Sequence, residues 1–304
     1  MIYDCAIIGG GPAGLNAALV LGRARRTVAL FDDHRPRNAV THASHGFITR
    51  DGIHPSEFRR IAYEEVLGYP TVYHWQAEAI DIRRTGHGFV VRMASGEAVE
   101  ARRIILAAGL KETFPQIEGL SDYYGKSLFA CPFCDGWELR DRPLVVISEF
   151  PALMHKVKLL LNWSADLVVC TNGSSVLSIE QRQQLADRHI RVVDSRVVSL
   201  TGSNGMLERV HFADGTSLAR SGGFIDPTLT SKAVFHQPLG YHLTEHGGIV
   251  IDEMGRSTAE GVYAAGDSAY LMPSQLIYAA ASGSKAAMAV FADYIEESWQ
   301  LSGH

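Results

Sequence analysis

The sequence predicts an α/β fold built from two strand–helix–strand units. In the first unit, the apolar strand Ala6–Ile8 leads into a helix over Leu15–Gly22, and the strand Thr27–Phe31 follows. In the second unit, a helix over Ala152–Trp163 separates the strand Pro143–Ile147 from the strand Leu167–Cys170. Strands that alternate with helices of this length are typical of a parallel sheet covered by helices.

Further strands and one long helix complete the pattern. The apolar runs that predict these strands are Gly88–Met93, Arg103–Leu106, Ile190–Val193 and Gly261–Asp267. Near the carboxyl end, an Ala-rich segment predicts a helix that begins at about Pro273. We find no internal repeat and no low-complexity segment.

Composition limits the class of protein. The chain has 304 residues, of which 46% are hydrophobic and 20% charged, enough for one large domain or two medium ones. A formal net charge of −5 argues against a nucleic-acid partner. No run of the sequence approaches the ~18 apolar residues of a membrane span, and the N-terminus lacks a signal-peptide pattern. Since the chain has four cysteines, we expect a cytoplasmic protein whose paired cysteines serve chemistry rather than a structural disulfide framework.

A glycine-rich turn, Gly9-Gly10-Gly11-Pro12-Ala13-Gly14, connects the first strand to the first helix. This spacing suits a dinucleotide, since Gly9 permits the tight turn, Gly11 admits a pyrophosphate and Gly14 lets the helix pack closely on the strand. N–H groups at the helix N-terminus would bind the phosphates. Asp32 ends the next strand, where its carboxylate can accept hydrogen bonds from a ribose. The alternative is a glycine-rich turn without a ligand.

A second chemical motif is Cys131-Pro132-Phe133-Cys134-Asp135-Gly136. Two thiols at this spacing can form a disulfide and open it again, and a helix that begins at the first cysteine favours its thiolate. Half of a zinc site is the alternative, but such sites usually need four ligands and no second CxxC or HxxxH lies nearby. Cys5 and Cys170 lie in apolar strands, so we expect buried thiols there. A redox-active pair and a dinucleotide site together predict electron transfer between a disulfide and a cofactor, without a metal.

Two histidines, His42 and His45, lie in the loop Thr41-His42-Ala43-Ser44-His45-Gly46-Phe47. One of them can serve as a base near the dithiol or the cofactor, because histidine titrates near neutral pH. The alternative is that both are ordinary loop histidines.

These motifs, in this order, resemble the low-molecular-weight thioredoxin reductases, a family of two-domain flavoproteins. The residues that carry the resemblance are Gly9–Gly14, Ala107-Ala108-Gly109, Cys131–Gly136, Val250-Ile251-Asp252-Glu253 and Gly261–Asp267 with the Ala-rich helix after it. The resemblance implies two Rossmann-like domains of the FAD/NAD-linked reductase type, the second inserted in the first. Residues 1–114 and 222–304 would form the FAD-binding domain, and residues 115–221 the inserted domain. It also implies FAD as the cofactor and a homodimer.

The resemblance assigns catalytic roles as well. Cys134 would lie nearest the flavin, Cys131 would react with the outside substrate, and Asp135 would donate and accept protons. The substrate would be a small-molecule dithiol or disulfide, or a thioredoxin-like protein.

Cofactor-binding residues follow from the same resemblance. Asp267 would hydrogen-bond the ribityl or pyrophosphate region of FAD, while Gln275 and Leu276 would place backbone N–H groups near the flavin. The remaining FAD-binding residues implied are Gly9, Gly11, Pro12, Ala13, Gly14, Asp32, Ala108, Gly109 and Gly266.

The sequence departs from the family at the second nucleotide site. After the strand Val145–Ile147 the family has GxGxxA, whereas this chain has Ser148-Glu149-Phe150-Pro151-Ala152-Leu153. The Phe150 side chain would occupy the space of a pyrophosphate, and Glu149 adds a negative charge there. The family's basic cluster is replaced by Thr171–Ser174, which holds no arginine. Each lost charge-assisted contact costs ~1.5–3 kcal/mol, so we expect weak NADPH binding.

We therefore expect that electrons do not enter from NADPH at the family's usual site. The Cys-Pro-Phe-Cys dithiol is similar to that of the flavin dithiol oxidases of the gliotoxin and holomycin type, which implies transfer from a substrate dithiol through Cys131–Cys134 and FAD to molecular oxygen. The alternative is a thioredoxin-reductase-like disulfide reductase that uses NAD(P)H in an altered pocket or another electron donor. The intact dithiol disfavours a flavoprotein that has lost turnover and acts as a sensor.

Overall fold

Two sheets organise the chain, of which the structure, a computed structural model, describes residues 1–272 and 274–302. The strands of the first sheet are β1 (Ile2–Ile8), β2 (Val28–Phe31), β3 (Val72–Trp75), β4 (Ala79–Thr85), β5 (Gly88–Met93), β6 (Ala98–Leu106) and β17 (Val262–Ala264). They lie in the order β3-β2-β1-β6-β5-β4, and β17 also pairs with β6. The pairs among β1, β2, β3, β6 and β17 are parallel, whereas β4, β5 and β6 form an antiparallel meander.

Three helices pack in this first unit, and they are α1 (Pro12–Arg23), α2 (Pro55–Leu67) and α8 (Leu276–Ser302). Small residues bring α8 against α1, because a Cβ at Gly283 would lie 2.0 Å from the carbonyl oxygen of Ala13. Ala286 and Ala287 are fully buried in the same contact. The Ala-rich composition of α8 therefore serves close helix packing beside the glycine-rich turn.

The second sheet has the strand order β11-β10-β9-β15-β8, and all its pairs are parallel. Its strands are β8 (Leu128–Phe129), β9 (Leu144–Ile147), β10 (Leu167–Cys170), β11 (Arg191–Val193) and β15 (Gly222–Ile225). A three-stranded antiparallel sheet follows, with β12 (Val197–Ser203), β13 (Met206–Phe212) and β14 (Ser217–Ala219). The helices of this unit are α3 (Leu120–Tyr123), α4 (Pro132–Asp135), α5 (Leu153–Leu160) and α6 (Ile179–Ala186).

A two-stranded ladder joins the two units where the chain crosses between them. It pairs β7 (Leu110–Thr113) with β16 (Thr228–Ser231) in antiparallel register. Beyond it lie the short helix α7 (His236–Leu239) and a 3₁₀ turn over Gly266–Ser268, and another 3₁₀ turn covers Arg37–Val40 near the start of the chain. Among the helices of the described residues, none combines the length and the apolar composition needed to cross a membrane.

The α/β fold class is confirmed, and two local expectations need comment. The predicted first domain resumes at residue 222, but Gly222–Ile225 pairs with β9 and β8, so this strand lies in the second sheet. A buried apolar strand carries no local sign of which sheet it joins, and this explains the difference. The predicted start of the last helix, Pro273, lies outside the described residues, and α8 begins at Leu276.

Candidate active site

A cavity of about 310 Å³, called here the central cavity, lies between the carboxyl ends of β1, β2 and β6 and the loop that follows β8. It contains nearly every residue that the sequence assigns to catalysis or cofactor binding. The predicted residues that line it are Gly9, Gly11, Pro12, Ala13, Asp32, Ala108, Gly109, Gly266, Asp267, Gln275, Leu276, Cys131, Cys134 and Asp135. Gly14 does not line the central cavity.

The glycine-rich turn has the geometry of a phosphate cradle. Gly9 has φ of +113°, which an L side chain rarely adopts, and a Cβ there would meet the carbonyl oxygen of Ala107 at 2.2 Å. A Cβ at Gly14 would lie 1.8 Å from the carbonyl oxygen of Gly9, so its absence lets α1 pack on the turn. At Gly11 the same position has no atom within 4 Å and faces open space.

These features fit the pyrophosphate of a dinucleotide. The free N–H groups at the N-terminus of α1 and its dipole favour an anion beside Gly11, and Pro12 suits the first helical position because it lacks an N–H. Gly266, with φ of +62°, lies against Ala13, where a Cβ would be 2.9 Å from the Ala13 side chain. The residues on this side of the central cavity are therefore able to hold FAD.

Asp32 is buried at the end of β2 and is held by two side chains of α2. The Tyr63 hydroxyl and Nη2 of Arg59 each donate to Oδ2 of Asp32 at 2.6 Å. Burial pushes the pKa of Asp32 upward, but these hydrogen bonds outweigh it and hold the pKa below its ordinary value. His34 and His74 bring possible ligand atoms to within 4.8 Å of Asp32 and of each other, yet the Arg59 cation on the carboxylate disfavours a metal ion there.

A second polar cluster lines the central cavity. The Arg37 guanidinium donates to Oε1 of Glu112 at 2.7 Å and to Oδ2 of Asp267 at 3.0 Å. The hydroxyl of Tyr124 donates to Oε2 of Glu112 at 2.9 Å, and that of Ser274 donates to Asp267 at 2.6 Å. Burial raises the pKa of Asp267, and Arg37 opposes the shift. The predicted cofactor ligand Asp267 is thus fixed by an ion-pair network.

Cys131 and Cys134 form a disulfide that lines the central cavity. Cys131 is the N-terminal cap of α4, and its carbonyl oxygen accepts from the N–H groups of Cys134 and Asp135 at 3.2 Å each. The turn is packed tightly behind the disulfide, because a Cβ at Gly136 would lie 2.5 Å from the carbonyl oxygen of Pro132. The short helix therefore fixes the orientation of both sulfurs.

Asp135 lies in the same cavity as the disulfide. Burial raises the pKa of its carboxyl to about 7, and the negative charge of Glu138 acts in the same direction while His45 opposes it. A carboxyl with this pKa can accept and release protons at neutral pH, which is the requirement for general acid–base chemistry.

The two candidate histidines of the sequence differ in position. His45 lines the central cavity, with its ring nitrogens 3.5 Å from Oδ1 of Asp51 and 3.5 Å from Oε1 of Glu138. His42 is exposed. The cavity therefore brings one of the two, His45, to the side of the disulfide.

Comparison with known proteins identifies the family. The model of the pyridine nucleotide-disulphide oxidoreductases matches residues 3–283. The chain belongs to this family. A probable thioredoxin reductase of Arthroderma benhamiae is 32% identical over 248 residues, which is 72% of this chain and 61% of that protein, so the chain spans less than two thirds of this relative.

Solved structures agree with this assignment. TrxB of Bacillus anthracis, assigned as a thioredoxin reductase, has a TM-score of 0.93 at 46% identity, over 97% of this chain and 99% of that one. HlmI has a TM-score of 0.94 at 34% identity, over 99% of this chain and 95% of that one. The predicted resemblance to thioredoxin reductases, the Rossmann-like α/β fold and the assignment as an enzyme are confirmed. This enzyme is a disulfide oxidoreductase of the thioredoxin reductase type.

At the edge of the second sheet where this family binds a second nucleotide, the polar side chains of this oxidoreductase pair with one another. A Rossmann-like sheet binds its nucleotide at the carboxyl ends of the strands, here β9 and β10. At that edge Nδ2 of Asn172 donates to Glu149, and its Oδ1 accepts from the N–H of Val197 at 2.8 Å. Arg182 donates to both oxygens of Asp194 at 2.8 Å, so this guanidinium is engaged as well.

A lysine on α5, Lys156, contacts the next part of the same edge. Nζ of Lys156 donates to the carbonyl oxygen of Ala130 at 2.9 Å and contacts the carboxylate of Asp226. Ala130 directly precedes Cys131, and Asp226 follows β15. Lys156 therefore joins the redox turn to the second sheet, at the edge where a nucleotide would otherwise approach. The sequence contains no local sign of this contact, which spans 70 residues.

The two remaining cysteines are free and buried, in agreement with their prediction as core thiols. Burial raises the pKa of Cys170 to about 12 and raises that of Cys5 as well. Thiols this hard to ionise are poor nucleophiles, so the redox chemistry belongs to the pair in the central cavity.

Proposed function

We propose that this enzyme is an FAD-dependent thiol oxidase, which moves two electrons from a small dithiol through Cys131–Cys134 to the cofactor and on to molecular oxygen. The observation that carries the proposal is that the disulfide and the phosphate cradle at Gly11 open into one central cavity. FAD bound there would supply a two-electron acceptor that oxygen can reoxidise, with hydrogen peroxide as the product.

The chemistry at the disulfide is thiol–disulfide exchange. A substrate thiolate attacks Sγ of Cys131, the Cys131–Cys134 bond breaks, and Cys134 leaves as a thiolate. The second substrate thiol then attacks the mixed disulfide, which releases an oxidised substrate and leaves both cysteines reduced. Asp135 accepts the proton that a substrate thiol must lose and supplies one to the departing thiolate, for which its pKa of about 7 is suited.

The direction of electron flow rests on the second nucleotide site. Glu149, Asp194 and Asp226 place three carboxylates at the edge where an anionic pyrophosphate would approach. The nearby cations Arg182 and Lys156 already pair with two of these carboxylates. A pyridine nucleotide would have to break these contacts and would meet a net negative edge, so a substrate dithiol is the better electron donor.

The remaining assignments extend the same proposal. We expect the enzyme to work as a homodimer in the cytoplasm, without a nucleic-acid or membrane partner. The second candidate function is a disulfide reductase that takes electrons from NAD(P)H, and it is favoured by the retention of the whole second sheet with its helices α5 and α6.

An anaerobic reduction experiment separates the two functions. The purified flavoprotein is mixed with excess dithiothreitol and, separately, with excess NADPH, while flavin absorbance is followed. We expect bleaching by dithiothreitol and little bleaching by NADPH. Fast stoichiometric bleaching by NADPH would establish the reductase instead.

A matched pair of cysteine variants ties this reduction to the disulfide. Cys134→Ser is expected to keep its FAD and to lose dithiol-driven oxygen consumption. Cys170→Ser is the control, because that thiol is buried outside the central cavity and its variant should turn over normally. Undiminished turnover of Cys134→Ser would remove the disulfide from the mechanism.

A further inference from the structure

His45 belongs to the first unit but lies beside the redox turn of the second. It lines the central cavity together with Cys131, Cys134 and Asp135. Nε2 of its ring is 3.5 Å from Oε1 of Glu138, which lies three residues after Asp135. Its other nitrogen, Nδ1, is 3.5 Å from Oδ1 of Asp51. Both ring nitrogens therefore face a carboxylate.

The acidic groups around this ring form a path from the cavity to solvent. Asp135 is mostly buried, whereas the side chain of His45 is 21% exposed, that of Glu138 is 40% exposed and that of Asp51 is 68% exposed. The N–H of Gly46 donates to Oδ1 of Asp51 at 2.8 Å, which fixes this carboxylate beside the ring. Exposure thus rises stepwise from the disulfide outward.

The exchange reaction needs such a path. Oxidation of a dithiol by Cys131–Cys134 is balanced, because the two substrate S–H bonds that are lost become two cysteine S–H bonds. The transfers are separated in time, however, since the first substrate thiol must ionise before Cys134 is free to take a proton. Asp135 can hold one proton between these two events. When the two transfers occur in the other order, the Asp135 carboxyl has to exchange its proton with solvent instead.

We propose that His45 acts through Asp135 in this step. Its ring carries protons between the Asp135 carboxyl and solvent. The inference rests on the proposed function because it takes a dithiol as the substrate. The placement of His45 beside the redox turn does not depend on that function. The charged and titratable groups that face Asp135 are Glu138 from the turn after α4, His45 from the loop before α2, and Tyr124 from the end of α3. Among these, His45 is the group whose two ring nitrogens face carboxylates on both sides, Glu138 on the side of the redox turn and the exposed Asp51 on the other.

The first test measures the protonation of Asp135 directly. Infrared difference spectra of the holoprotein, labelled with ¹³C-aspartate and assigned with Asp135→Asn, give the pH midpoint of this carboxyl. We expect His45→Gln to raise the midpoint, because the electrostatic interaction with His45 lowers the Asp135 pKa, and Glu138→Gln to lower it, because the Glu138 charge raises that pKa. The exposed neighbour gives the control His42→Gln, which should leave the midpoint unchanged. An unchanged midpoint in both His45→Gln and Glu138→Gln would show that neither side chain interacts with the Asp135 carboxyl, and would overturn the proposal.

The second test measures proton transfer. The holoprotein is mixed anaerobically with dithiothreitol, quenched in acid at set times, and the thiols of Cys131 and Cys134 are counted by alkylation. We expect His45→Gln to slow disulfide reduction on the order of tenfold, less than the ~100-fold or more of a group that contacts the reacting atoms. Added imidazole should restore the rate of His45→Ala, an effect that a merely structural histidine would not show. An unchanged rate and pH profile in His45→Gln, or no rescue by imidazole, would refute the relay.

Failure of this inference differs from failure of the proposed function. If NADPH rather than dithiothreitol reduces the wild-type flavin, the thiol-oxidase proposal falls, while the infrared midpoints still test the electrostatic interaction between His45 and Asp135. If dithiothreitol reduces the wild-type enzyme and His45→Gln behaves like wild type, the proposed function stands and the relay falls.

Discussion

Asp135→Asn tests the partly buried carboxyl on which the acid–base chemistry depends. In the folded enzyme the pKa of Asp135 is raised from 3.8 to about 7, because the carboxyl is buried and lies near the charge of Glu138. The folded state therefore prefers the protonated form. The stability that this group contributes is fully present below the unfolded pKa of about 4 and is lost as the pH rises through about 7.

The size of the effect follows from the shift. One pKa unit corresponds to ~1.36 kcal/mol, so a shift of about three units corresponds to ~4 kcal/mol in the free energy of unfolding. Partial access of solvent to Asp135 reduces this, and we expect roughly 2–4 kcal/mol. Asparagine has a similar shape and does not titrate. Relative to wild type, Asp135→Asn should therefore gain this amount of stability between about pH 4.5 and pH 8.

Urea unfolding of wild type and Asp135→Asn across this pH range measures the difference, with FAD saturation checked at each pH because ligand binding adds to stability. Asp51→Asn is a control of opposite sign. The N–H of Gly46 holds the pKa of this exposed Asp51 carboxyl below its usual value, so its contribution is lost only as the pH falls below about 4. A difference between wild type and Asp135→Asn that stays constant with pH would refute the raised pKa.

Two further predictions address the phosphate cradle and the Lys156 contact at the edge of the second sheet. Gly11→Val should fold with near-normal stability as apoprotein but contain little FAD, because its side chain would enter the open space of the cradle. Gly14→Ala should instead lose stability, because its Cβ would clash with the carbonyl oxygen of Gly9. The flavin content of the purified variants and the melting temperatures of their apoproteins separate these outcomes, and a normal flavin content in Gly11→Val would contradict the cofactor site. Lys156→Met should destabilise the enzyme by ~1–3 kcal/mol, since it leaves the partly buried carboxylate of Asp226 without its cation, while Lys158→Met on the exposed side of α5 should have little effect in the same urea unfolding measurement. Equal stabilities of the two lysine variants would show that the Lys156 contact contributes nothing.

The short motifs of this chain could be predicted from the sequence, because their conformations depend on residues only a few positions apart. The turn Gly9–Gly14 requires a positive φ at Gly9 and a missing Cβ at Gly14, and both demands are visible in the sequence. The strand β5 alternates buried Phe89 and Val91 with more exposed residues, a pattern of period two that predicts a strand. The Cys131–Gly136 motif likewise needs only neighbouring residues.

The polar networks of the site were not predictable, because their partners are far apart in the chain. The sequence predicts Asp32 beside a ribose. The hydrogen bond that Asp32 accepts from Arg59 of α2, 27 residues away, cannot be predicted from the neighbouring sequence. Arg37 reaches Asp267 across 230 residues. His45 was one of two open choices, and the fold alone places it in the cavity. Sequence spacing predicts turns and strands, whereas these contacts depend on where helices and loops meet in three dimensions.

The paired crossings β7 and β16 have a consequence for how such enzymes can be rebuilt. Thr113 and Thr228 are register partners in this ladder, so the two ends of the intervening segment lie within about 5.5 Å of each other. Residues 114–227 consequently form an inserted segment that leaves the first unit and returns to it at a single point. An inserted segment whose two ends are equally close together would meet the rest of the chain at this ladder without a change in its register.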